Sequence, residues 1–232
     1  MISVIVPSFN EEERIDGCLA SLVKQTFPRD RYEIIVVDGG SRDNTRVIAE
    51  KYADTVFIQT SPKVGGARND GALKARGDIL VTTDADTYLP PDWLSRIERD
   101  FADPSVVMLY GPVKPIEKGI KNHLYLFMAN TFAGIGYLTG TIHFTLGCNS
   151  AFRREDFMKA GMYRVSDAGD DLEIAHRMKK LGKIRFDRRL WVGFSMRRYD
   201  QFGALRSIYE WFYIVFHGGD ADKYAYTRRE YK

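Results

Sequence analysis

An α/β fold, a mostly parallel sheet flanked by helices, follows from three observations on this sequence. Short β-branched runs alternate with amphipathic segments over about the first hundred residues, the pattern of a doubly wound sheet. The run Ile79-Leu80-Val81-Thr82-Thr83 is apolar without alternation, as a strand covered on both faces should be. The run is followed directly by Asp84-Ala85-Asp86, and ligands of open α/β sheets sit beyond the carboxyl ends of the strands.

The elements follow in order. Ser3-Val4-Ile5-Val6 is a short strand ended by Pro7. Residues 11–25 carry Ile15, Leu19 and Leu22 at helical spacing. Residues 32–37 form a second strand that ends at Asp38-Gly39-Gly40, after which Ser41 or Asp43 can cap a helix over 45–52. Residues 55–58 are a third strand, 63–66 a loop, and 67–75 a helix ended by Gly77. The strand before Asp84 is next. A helix over 92–101 starts after Pro90-Pro91, and the strand 106–110 is closed by Gly111-Pro112. Further strands are expected over 145–152, 184–186 and 191–194. A helix over 170–181 has Leu172, Ala175, Met178 and Leu181 as its candidate buried face, and 202–217 reads as a strongly aromatic helix.

Composition bounds the function. Apolar residues make up 44% and charged ones 28% of 232 residues, enough for a sizeable core. Lys+Arg 34 against Asp+Glu 31 leaves +3, too small a surplus to argue for nucleic acid. Cys18 and Cys148 lack metal-ligand spacing and read as inert reduced thiols, which suits a cytoplasmic location, and no signal peptide is expected ahead of a strand that begins at Ile2. Residues 122–152 contain no Asp, Glu, Lys or Arg, but Asn130, Thr131, Gly134 and Gly136 interrupt the apolar stretch. A buried helix, or one lying at a membrane surface, fits that stretch better than a span.

Five segments carry chemistry. In an extended chain Asp84 and Asp86 point the same way with Ala85 turned aside, so a hard cation such as Mg²⁺ or Mn²⁺ holding a phosphate would relieve their repulsion. The alternative is a solvated turn. In Pro7-Ser8-Phe9-Asn10-Glu11, Phe9 can stack on a flat ring or cover the core. Asp38 can accept a hydrogen bond from a base imino group, or the stretch 38–45 can be a capping turn. Gly65-Gly66-Ala67-Arg68 places glycines before a helix start, where free N–H groups bind anions and Arg68 can clamp a phosphate. This is neither a Walker loop nor a dinucleotide fingerprint. Gly169-Asp170-Asp171-Leu172-Glu173 complements a helix dipole, or contains a general base whose pKa its neighbour raises.

Taken together, 6–11, 37–45, Gly66-Ala67-Arg68-Asn69, Asp84-Ala85-Asp86 and Gly169-Asp170-Asp171 with Arg177 and Gly182 resemble glycosyltransferase family 2 in order and spacing, over about the first 185 residues. The resemblance implies a GT-A, Rossmann-type fold and inverting sugar transfer from a UDP- or GDP-sugar. Pro7, Phe9 and Glu11 would then line the nucleoside pocket, Asp38 would read the base, and Gly66 and Arg68 would lie near the nucleotide. Asp84, with Ala85, would lie near the ribose and metal, and Asp86 and Asp84 would hold Mg²⁺ or Mn²⁺. Asp171 would be the base, with Asp170 as the other candidate, since Asp170 replaces the family's usual Glu. Gly39-Gly40 stands where Asp-Gly is usual. Residues 1–112 would form the nucleotide-sugar half and 113–200 the acceptor and base half, with 147–153 beside the acceptor channel. Residues 201–232 read as an aromatic helix, with Tyr209, Trp211 and Phe212 resting on a membrane surface, lining a sugar-stacking groove or packing on the domain, and with Arg197, Arg198 and Arg206 as a basic rim. The expected acceptor is a glycan or a polyprenyl lipid, reached at the cytoplasmic face of a membrane. A nucleotidyltransferase would need a basic, glycine-rich loop after the first strand, where this chain has the acidic 7–13. A non-catalytic sugar binder would have no use for the acids at Asp86 and Asp171.

Overall fold

The computed structural model describes residues 1–140, 145–166, 169–197 and 213. Its centre is a seven-stranded sheet in the order β3-β2-β1-β4-β7-β5-β8. The strands are β1 (Ile2–Ser8), β2 (Tyr32–Asp38), β3 (Thr55–Ile58), β4 (Ile79–Thr82), β5 (Val106–Tyr110), β7 (Ser150–Arg153) and β8 (Lys183–Phe186). Only β7 is reversed, pairing antiparallel with both β4 and β5. A small parallel pair, β6 (Val113–Pro115) with β9 (Val192–Phe194), stands apart and bridges to Tyr88 through Gly193.

Alternation along the strands divides the apolar interior in two. Val4, Val6, Ile34 and Val36 face one side with Ile15, Leu19 and Leu22 of α1 (Ile15–Val23). Ile5, Ile35 and Val37 face the other with Ala67 and Ala72 of α3 (Lys63–Lys74) and Ile174, Ala175 and Met178 of α7 (Asp170–Met178). Burial on both faces explains the unbroken apolar runs, each fully buried Ile, Val or Leu contributing about 1.5–3 kcal/mol. α2 (Thr45–Ala49), α4 (Trp93–Asp100), α5 (Ile120–Thr139) and α6 (Arg154–Lys159) complete the helices.

Four expectations are corrected. Residues 63–66 are the first turn of α3, not a loop: Gly65 and Gly66 are helical. A Cβ on Gly66 would lie 2.8 Å from the Ser61 backbone, and one on Gly71 would lie 2.5 Å from Ile5 Cγ2, so these glycines serve close packing. The strand expected over 145–152 begins only at Ser150, after a 3₁₀ turn at Gly147–Asn149, and β6 and α6 were not anticipated. The buried face of α7 is Asp170, Ile174, Ala175 and Met178, whereas Leu181 lies exposed beyond the helix. α5 is not a buried helix: Leu124, Phe127, Ile135 and Leu138 are exposed. Among the described residues no helix is long and apolar enough to cross a membrane. The aromatic segment 202–217 lies outside the described residues, apart from Tyr213.

Candidate active site

Parallel register brings the carboxyl ends of β1, β2 and β4 to one edge, with Ser8 opposite Asp38 and Ile5 opposite Thr82. Because β7 runs the other way, its entry turn at Gly147–Asn149 arrives at the same edge. The segments 7–11, 38–45 and Asp84-Ala85-Asp86 therefore meet there, and Arg68 ties the start of α7 to them.

The tips of β1 and β2 are laced together. Asn10, at φ +54°, accepts at Oδ1 from Arg42 N at 2.9 Å, while its own N donates to Ser41 Oγ at 2.9 Å. Glu11 N donates to Thr45 Oγ1 at 2.8 Å, and Asn44 N to Glu12 Oε2 at 3.0 Å. Asp38 is fully buried and accepts from Gly40 N and Ser41 N at 2.9 and 2.8 Å, and from Ser41 Oγ at 2.5 Å. In this structure Asp38 holds the turn, the second of the two readings its sequence allowed. Pro7 is half-buried within β1. Phe9 is 43% exposed and lies over Gly39, where an added Cβ would come within 3.2 Å of its ring. The departure to Gly39 thus makes room for an aromatic ring at the edge.

Beyond β4, Ala85 is buried in the core, and the carboxylates beside it face outward to different cations. Asp84 Oδ1 accepts from Arg68 Nη2 at 3.0 Å, while Asp86 Oδ2 lies 3.7 Å from Arg197 Nη2. Arg197 also donates to Glu11 Oε1 at 2.6 Å. Burial, then Asp84 and Glu11, push the Asp86 carboxyl up to about 7. Burial raises Glu11 as well, against the pull of Arg197 and Arg14, and its buried Oε2 has no hydrogen-bond partner. Cys18 donates to Asp84 O beneath this turn, and burial pushes its thiol up to about 12, far from reactive.

At the start of α7, Asp170 is buried and Arg68 Nη1 lies 3.2 Å from its Oδ2. Arg68 therefore joins Asp84 to Asp170, the second of these lying 102 positions further along the chain than Arg68 itself. Both terminal nitrogens are engaged and its Nε is buried without a hydrogen-bond partner, so in this structure Arg68 is an internal tie between two acids. Three neighbours hold it: the Tyr163 ring centroid 5.5 Å away, Gly147, where a Cβ would lie 2.3 Å from the guanidinium, and Gly65, where a Cβ would lie 3.0 Å from Asp170 Oδ2. Among the described residues Asp171 has no ion pair; its Oδ2 accepts from Gly147 N at 3.1 Å and its Oδ1 from Leu172 N at 2.9 Å. Burial, then the adjacent Asp170, push its carboxyl up to about 7. Asp170 is raised too, by the same burial, against the pull of Arg68. Of the two, Asp171 is the one placed to exchange a proton near neutral pH.

Sequence reasoning missed Arg197, Arg14, Glu117 and Tyr163 as parts of this site. Arg197 stood only as part of a basic rim, because nothing local marks a residue whose partner lies 186 positions away. Among the described residues no group of three or more His, Cys, Asp or Glu forms a ready-made metal cage. A hard divalent ion that keeps phosphate and water ligands needs only one or two carboxylates, and Asp86 with the orphaned Glu11 oxygen close by suits such an ion.

Comparison with known proteins gives the family and the fold. Residues 3–161 match the family described as Glycosyl transferase family 2, a match that stops short of Asp170. Glycosyltransferase AglE of Haloferax volcanii is 39% identical over 101 residues, 41% of this chain and 33% of its own. A poly(ribitol-phosphate) beta-glucosyltransferase of Bacillus spizizenii is 31% identical over 160 residues, 66% of this chain and 25% of its own. The chain thus spans a third or less of these relatives. Among solved structures, the mannosyltransferase PcManGT of Pyrobaculum calidifontis, in complex with GDP-Man and Mn²⁺, superposes with TM-score 0.67 at 23% identity, over 83% of this chain and 56% of that one. S. aureus TarS residues 1–349 with UDP-GlcNAc gives 0.66 at 22%, over 84% and 58%. The fold is that of these GT-A neighbours, and with the larger part of its length matched to the family, the chain belongs to the family 2 glycosyltransferases.

Proposed function

We propose that this chain transfers a sugar from a UDP- or GDP-sugar to an acceptor hydroxyl or lipid phosphate, with inversion and with help from a divalent metal. One observation carries the reading: Arg68 ties Asp84 to Asp170, which brings the start of α7 with Asp171, an acid without an ion pair among the described residues, to the Asp84-Ala85-Asp86 turn. Mg²⁺ or Mn²⁺, held by Asp86 and Asp84, would supply Lewis-acid stabilisation to the departing diphosphate. Asp171 takes the proton from the acceptor O–H. The freed oxygen pair attacks the anomeric carbon opposite the leaving group, the carbon–diphosphate bond breaks with its electrons going to phosphate, and one displacement inverts the centre. Gly147 N and Leu172 N fix the Asp171 carboxylate for that task. Phe9, with Pro7 and Glu11, offers the nucleoside a flat apolar edge. The two bound donors of the structural neighbours support a nucleotide-diphospho-sugar, and Mn²⁺ in one supports the metal. The polymer named for the Bacillus relative supports a glycan-type acceptor, with a polyprenyl lipid at a membrane surface as the other reading.

The test is nucleotide release from a panel of UDP- and GDP-sugars, with and without Mn²⁺, with candidate acceptors present. Release with one donor, lost in Asp86→Ala, supports the proposal. Tight donor binding with no release under any acceptor would instead mark a non-catalytic binder.

A further inference from the structure

We propose that Arg197 is a tethered counter-ion of the acidic site, filling the place between Glu11 and Asp86 until a diphosphate arrives with its metal, and then turning to the diphosphate. The inference rests on the reading of Asp86 as a metal-binding residue. The guanidinium reaches Glu11 Oε1 at 2.6 Å and Asp86 Oδ2 at 3.7 Å, so one cation spans the two acids nearest the expected ion. Its approach is built into the fold. Glu117 accepts from Ser195 Oγ at 2.9 Å and from Met196 N at 2.8 Å, which pins the backbone just ahead of Arg197, and Met196 is buried. Glu117 is itself 3.6 Å from Arg14. Charges therefore alternate from Asp86 through Arg197, Glu11 and Arg14 to Glu117.

The charge count decides what such a residue does. A divalent ion entering alone meets a cation already in place and must displace it against their mutual repulsion. A nucleoside diphosphate brings negative charge with the ion, and a guanidinium forks onto phosphate oxygens in a bidentate geometry. Arg197 should thus oppose the metal alone and favour the metal with nucleotide. A residue that only shapes the backbone would move both affinities in the same direction.

Mn²⁺ binding to the purified chain, followed by the electron paramagnetic resonance signal of the free ion, tests this without turnover. Arg197→Gln and Arg197→Ala are compared with the native chain, with Mn²⁺ alone and with UDP or GDP added. Removing one adjacent like charge should tighten Mn²⁺ alone by about tenfold and weaken Mn²⁺ with nucleotide by about tenfold. Should Ala fail to fold, Gln keeps the aliphatic stem and leaves the Glu117 contacts to Ser195 and Met196 untouched. If affinity for Mn²⁺ alone is unchanged or weaker in Arg197→Gln, while Asp86→Ala removes binding, the counter-ion role is wrong and the metal reading stands. If the native chain takes up no Mn²⁺ even with nucleotide, the metal reading falls, and this inference with it.

Discussion

The two ends of the crevice treat their acids differently. At the α7 end, Arg68 is 6% exposed, rises from the middle of a helix, and is boxed by Gly65, Gly147 and the Tyr163 ring while it serves Asp84 and Asp170. At the strand-tip end, Arg197 is 23% exposed, follows the last described strand, and serves Glu11 and Asp86. The first arrangement leaves no room for exchange and fixes where Asp171 sits. The second leaves its acids only partly compensated, one with an orphaned oxygen, as a site that must receive a charged ligand should. On the proposed function, the sealed charge would position the chemistry and the accessible charge would admit the substrate.

The widest gap between the ends should appear in Asp171→Asn. Turnover should fall by about 10²–10⁴, the usual worth of a general base, with donor affinity kept. Donor affinity lost along with turnover would mean that the sealed end also binds. The same group gives a pH signature. Its carboxyl is raised to about 7 against an ordinary value near 3.9, so between those values the native chain holds a proton the unfolded chain has lost. That contribution to stability is complete below about pH 4 and is lost as pH rises through about 7, while activity rises over the same upper range. Asp171→Asn should therefore melt close to the native chain at pH 4–5 and above it at pH 8. Equal melting temperatures at pH 8 would show that the carboxyl is not strained by its burial.

Arg68→Met should come next. It leaves Asp84 and Asp170 without their cation, and breaking a buried pair this way typically costs about 3–5 kcal/mol. Arg197→Gln, at the more exposed end, should cost about 1 kcal/mol or less. Urea unfolding of both variants measures the contrast directly, and similar losses would erase the distinction between a sealed and an accessible end. Asp86→Ala should fall below both in its effect on folding, since it removes a strained acid, yet abolish the dependence of donor binding on Mn²⁺.

Much of this was legible from the residues and some could not have been. Unbroken β-branched runs revealed the strands, because burial on both faces leaves no polar alternation. The acids at Asp84, Asp86, Asp170 and Asp171 stood out because like charges rarely gather without a ligand or a counter-ion. What local pattern cannot express is pairing across the chain. Nothing near Arg68 says that its fork closes on Asp170, and nothing near Arg197 says that it reaches Glu11. Gly65 and Gly66 read as a loop because glycine commonly marks one, whereas here both are set by what presses on a helix, Ser61 and Asp170. Asp38 could be read two ways from its sequence, because its burial depends on Ser41 folding back over it.

The smallest effect is expected at Phe9, and it separates two roles the ring can play. Stacking of a base on an aromatic side chain is worth about 1–3 kcal/mol, so Phe9→Ala should weaken UDP or GDP binding by about tenfold or more. The ring is 43% exposed, so stability should shift by no more than about 0.5 kcal/mol. Phe9→Leu makes the sharper measurement. Leucine still covers Gly39 but offers no flat face, so if stacking is the role, it should bind nucleotide as poorly as alanine does. If leucine restores the affinity, the ring acts as an apolar cover for the turn that Asp38 holds, and the open end admits its ligand through charge alone.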